Sequence, residues 1–134
     1  MMRLYSTLVL FFTTSCAFAL NAPTHCPSTS SIQYDGVNQF AQDPKNPKTW
    51  AIAHKNSHYN TKENWSFMIL VEDSKTSDDA FRKSEKVLNS LHHPYGPKKM
   101  KSADVWTCYY ENNYNFTAVA VTPPVSTTGY QIRK

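Results

Sequence analysis

The chain has 134 residues, and its 14 basic and 10 acidic side chains give a net charge of +4. A charge so modest and so scattered argues against a dedicated nucleic-acid binder. Only three glycines are present, Gly36, Gly96 and Gly129, too few and too far apart for a loop that cradles phosphate.

Met1-Met2-Arg3 is a short positive start, Leu4 to Phe12 is almost continuously apolar, and Ala17-Phe18-Ala19 has the small-x-small form of a signal-peptidase site. Residues 1–19 are therefore read as a secretory signal peptide, since the apolar run is too short to span a bilayer. The expected location is periplasmic or secreted. A lipoprotein reading of Cys16 lacks the leucine-like residue three positions upstream, where Thr13 stands. Cleavage leaves Cys26 and Cys108, which in an oxidising compartment have each other as the expected partner. Such a bridge closes most of the mature chain into one loop and is worth about 4–5 kcal/mol on the chain-entropy model.

Residues 20–124 are expected to form one α+β domain, followed by a flexible tail over 125–134. Pro27 suits a first turn, so Ser28 to Tyr34 reads as a short helix closed by Asp35-Gly36. Thr49 to His54 alternates, with Trp50, Ile52 and His54 on one face. Asn64 to Glu72 alternates more clearly through Trp65, Phe67, Ile69 and Val71. Both are strands, and the polar stretch between them is a hairpin loop. Ser77 is a plausible N-cap for an amphipathic helix through Ala80, Phe81, Ser84, Leu88 and Leu91, which ends near His92-His93 before Pro94.

Pro94, Gly96 and Pro97 make 94–103 read as a loop. Asp104 to Glu111 and Phe116 to Thr122 are the third and fourth strands, joined by the turn-forming Asn112-Asn113-Tyr114-Asn115. The expected architecture is a four-stranded antiparallel sheet made of two hairpins. One amphipathic helix packs on one face, and the disulfide ties down the short N-terminal helix. The expected core holds Trp50, Trp65, Phe67, Ile69, Phe81, Leu88, Leu91 and Val119.

No motif spells out catalysis. A disulfide leaves no free thiolate, no serine stands in a Gly-x-Ser-x-Gly elbow, and HExxH and CxxC are absent. Adjacent histidines on a regular helix point about 100° apart and chelate poorly, so no metal site is expected from His92 and His93 as such. His92, His93 and Tyr95 are nevertheless able to ligate haem iron, and Lys98 and Lys99 can meet its propionates. The same residues also fit an ordinary loop beside cross-strand aromatic pairs.

Several segments together resemble a known family. They are Ala22-Pro23-Thr24-His25-Cys26-Pro27, Asn64-Trp65-Ser66-Phe67, the serine-capped helix through Ala80 and Leu88, Trp106-Thr107-Cys108-Tyr109, and Thr117 to Pro123. The resemblance is to small secreted proteins of intracellular gamma-proteobacteria. These form a domain of unknown function, some of whose members carry the label hemin-binding protein. It implies a Gram-negative exported protein and transfers no catalytic or ligand residues.

The resulting expectation is an exported, monomeric, non-enzymatic binding protein, with haem as the candidate ligand. The alternative is a secreted interaction factor with a host or envelope protein as partner.

Overall fold

The computed structural model describes residues 22–126 and 129–133. The signal-peptide segment 1–19 and Cys16 lie outside the described residues. No helix among the described residues is long and apolar enough to cross a membrane.

The elements run α1 (Thr29–Asp35), β1 (Gln39–Gln42), β2 (Trp50–Ser57), β3 (Trp65–Val71), α2 (Ser77–Asn89), β4 (His92–Lys99), β5 (Trp106–Glu111), β6 (Thr117–Thr122) and β7 (Gln131–Ile132). The strands form one antiparallel sheet in the order β4-β5-β6-β3-β2-β1-β7. The four-stranded α+β architecture is thus corrected to a mostly β fold of seven strands with two helices. The strands absent from the expectation are β1, β4 and β7. β1 and β7 are too short to show alternation. β4 carries Pro94 and Pro97, which a central strand excludes but an edge strand tolerates, and β4 is the outermost strand.

One face of the sheet is the core. Trp65, Phe67, Ile69 and Val71 of β3 are all fully buried, beside Trp50 and Ile52 of β2. They pack against Ala80, Phe81, Val87 and Leu88 of α2 and Ile32 of α1. α2 is capped by Thr76, one residue before the expected Ser77; its hydroxyl accepts from the Asp79 N–H at 3.1 Å. The helix ends at Asn89, so His92-His93 open a strand rather than close a helix. Cys26 and Cys108 are disulfide-bonded, with Cα atoms 5.8 Å apart. This bond anchors the N-terminal arm to β5, where the Tyr110 hydroxyl also donates to the Pro27 carbonyl.

Directly opposed residues in a sheet share a face. On the side away from the helices, Ile132, Gln39, Ala53, Met68, Val119, Tyr109 and Tyr95 form one row across all seven strands. Val119 lies in this row, which is why it is only half-buried while its neighbours Ala118 and Ala120 enter the core. The chain after β6 crosses part of this second face. The Val125 N–H donates to Ser66 Oγ at 3.2 Å, and the Tyr130 hydroxyl contacts Met68 Sδ at 3.7 Å. It then adds β7 beside β1. Toward β4 and β5 the second face stays open: Tyr95 and Tyr109 are 56% and 45% exposed.

Candidate site on the open face of β4 and β5

The pairing of β4 with β5 has an unusual phase. His92 opposes Glu111, Tyr95 opposes Tyr109, and Lys98 opposes Thr107, with an irregularity between each pair and the next. Three residues of β4 thus match two of β5 at each step, the signature of a bulge. A plain strand would put Tyr95 on the face opposite His92 and Lys98. The two bulges bring all three to the open face, as rungs roughly 7 Å apart. The extra residues take backbone conformations that a regular strand avoids. His93 has φ +44°, and Gly96 has φ +123°.

The three rungs differ in chemistry. At the first, Glu111 Oε2 lies 3.5 Å from His92 Nε2 and 3.2 Å from His93 Nδ1. His92 Nδ1 is 2.7 Å from the Ser90 carbonyl, which can only accept, so Nδ1 carries the proton. The middle rung is the exposed Tyr95–Tyr109 pair. At the third, the Lys98 side chain folds back so that its ammonium lies 4.4 Å from the Tyr95 ring centroid. Among the residues expected to bind haem, the fold therefore gathers His92, His93, Tyr95 and Lys98. Lys99 is separated from them: it opposes Trp106 and pairs with Asp104 at 3.5 Å. Tyr109, expected to add aromatic surface, stands opposite Tyr95, and Glu111 joins the site unforeseen.

The cavity that His92 lines, about 560 Å³, is polar, shares Asn112, Asn113 and Asn115, and does not include Tyr95. The rungs form an open platform rather than a slot. A larger groove of about 780 Å³ lies elsewhere, between the N-terminal arm and the β2–β3 loop, with Thr24, His25, Ser28, Tyr59 and Asn60 on its walls. Burial first, and then the Asp35 carboxylate, push the Tyr59 hydroxyl well above its ordinary titration range, so it stays protonated. The groove's His25 is hydrogen-bonded to Thr24 at 2.8 Å.

A family model described as a domain of unknown function, DUF4949, matches residues 25–127. The chain belongs to the DUF4949 family. No curated protein and no solved structure matches it. The DUF4949 match takes in both disulfide cysteines and every residue of the β4–β5 platform.

Proposed function

We propose that this DUF4949 protein is an exported, non-enzymatic binding protein that takes hemin on the open face of β4 and β5. The observation that carries this reading is the doubly bulged register. It sets an imidazole, an aromatic pair and an ammonium in line on one surface, over roughly 14 Å from the His92 rung to the Lys98 rung. That span is on the scale of a porphyrin with its propionates. His92 or His93 supplies an axial nitrogen to the iron. The macrocycle lies over Tyr95 and Tyr109, and the Lys98 ammonium moves from the Tyr95 ring to a propionate. Glu111 orients the imidazoles, as carboxylates do beside ligating histidines. The resemblance to secreted proteins labelled hemin-binding favours the same reading.

A protein partner pairing along the β4 edge fits less well. Pro94 and Pro97 remove backbone donors, the bulges break the ladder, and Lys98 and Lys99 charge it. These are the devices that keep an edge strand from acting as a template.

Hemin titration of the oxidised protein tests the proposal. A Soret shift is expected at micromolar ligand. It should be lost in the His92→Ala/His93→Ala double variant, weakened at least about tenfold in Tyr95→Ala, and kept in His25→Ala. An unshifted Soret band, or one that survives the double variant unchanged, contradicts it.

A further inference from the structure

We propose that His92, His93 and Glu111 also form a site for a bare divalent transition-metal ion of the zinc class, with three protein ligands and an open fourth position. This inference does not rest on the hemin reading.

The geometry is close to what such an ion requires. Zinc bonds imidazole nitrogen and carboxylate oxygen at about 2.0–2.2 Å, which in a tetrahedron separates neighbouring ligand atoms by about 3.4 Å. Glu111 Oε2 lies 3.5 Å from His92 Nε2 and 3.2 Å from His93 Nδ1. One ligand atom from each of the three residues lies within 4.8 Å of those of the other two. Only the two imidazoles need to draw together. The left-handed φ of His93, +44°, is what swings a second ring from the adjacent position onto the same carboxylate, with ring centroids 5.0 Å apart.

A second observation points to a cation independently. The Ser90 carbonyl holds the proton on His92 Nδ1. In a neutral imidazole the lone pair is then on Nε2, and Nε2 faces a carboxylate oxygen. Acceptor would face acceptor across that gap. A metal ion held between the two would turn that opposition into coordination by both. A backbone carbonyl on the far ring nitrogen is also the usual outer support of a metal-bound histidine. His93 Nδ1 turns to the same carboxylate oxygen, so a single ion there would satisfy all three groups at once.

All three side chains are at least 40% exposed, so their replacement should leave the fold intact and the ion can enter directly. Zinc and hemin would draw on the same imidazoles and exclude one another.

Zinc titration of the oxidised full chain against a chromophoric chelator provides the test, with cobalt(II) as a spectroscopic substitute. One zinc ion per chain is expected, with four-coordinate visible bands for cobalt. Glu111→Gln, His92→Ala and His93→Ala should each weaken zinc at least about tenfold, the scale on which losing even an outer-shell partner acts. His25→Ala should not. The proposal is overturned if micromolar zinc does not bind. It is equally overturned if the His92→Ala/His93→Ala variant still binds as tightly as the parent. Hemin binding without zinc binding would sink this inference alone, and zinc binding without a Soret shift would sink the hemin reading alone.

Discussion

Replacing both Cys26 and Cys108 by alanine is expected to lower the unfolding free energy by about 2–5 kcal/mol. The two residues are 82 apart in sequence, so the bridge removes a large closure entropy from the unfolded chain. The folded state loses as well. Cys108 is fully buried in the core, and Cys26 packs against the same cluster. The bridge holds Pro27 and α1 against β5, where the Tyr110 hydroxyl, buried and held protonated, donates to the Pro27 carbonyl. Denaturant unfolding of the oxidised parent and the double variant measures the difference. A change within about 0.5 kcal/mol, the range of an ordinary surface substitution, would contradict it. Cys108 points into the core, whereas Tyr109 points to the open face and Thr107 lies buried on that same side of the sheet. Where the variant remains folded, the β4–β5 platform should therefore keep its geometry.

Gly96→Ala is expected to cost about 1–3 kcal/mol and to abolish the β4 platform. Two independent obstacles meet at this position. The backbone φ of +123° is one that a residue with a Cβ rarely adopts, and an added Cβ would lie 2.6 Å from the Thr107 carbonyl oxygen. That oxygen is backbone of the neighbouring strand and cannot swing aside. The bulge between Tyr95 and Lys98 must then open, and Lys98 loses its place opposite Thr107. Unfolding measurements read the stability cost, and the Soret titration reads the loss of the platform. An alanine variant as stable as the parent, with hemin affinity intact, would contradict the argument. Gly36→Ala is a useful contrast. Its φ is also positive, +67°, but nothing lies within 4 Å of an added Cβ, so strain alone acts there, far from the platform.

The central strands were legible because their environment is regular. β2, β3, β5 and β6 each have a partner on both sides, and their apolar and aromatic residues alternate against one continuous core. α2 was legible for the corresponding reason, since Ala80, Phe81, Ser84, Val87 and Leu88 recur at helical spacing and all are buried. The asparagine turn also reads directly: Asn112 Oδ1 accepts from the Tyr114 and Phe116 N–H groups, and Asn115 takes φ +56°.

β4 hid itself. His-His-Pro-Tyr-Gly-Pro-Lys-Lys has no alternation, two prolines and a glycine, so local rules put His92-His93 at a helix end and the rest in a loop. Tertiary pairing with β5 decides otherwise. The consequence for the site was larger than for the fold. His92, His93, Tyr95 and Lys98 could be singled out by residue type, but their grouping depends on bulges that a sequence does not announce. Glu111 went unnoticed because it lies 18 positions from His93, and only the β4–β5 register brings the two together. The pairing of Gln131–Ile132 with β1 was equally hidden, because a two-residue strand has no period to read.

In the proposed function, the bulged register makes the open face of β4 and β5 a surface for hemin. Paramagnetic broadening of backbone amide signals by hemin tests it most directly. The prediction is broadening centred on His92, Tyr95, Lys98, Thr107 and Tyr109, fading toward β7. Broadening centred on the groove around His25 and Tyr59, with the β4–β5 amides unaffected, would contradict the account.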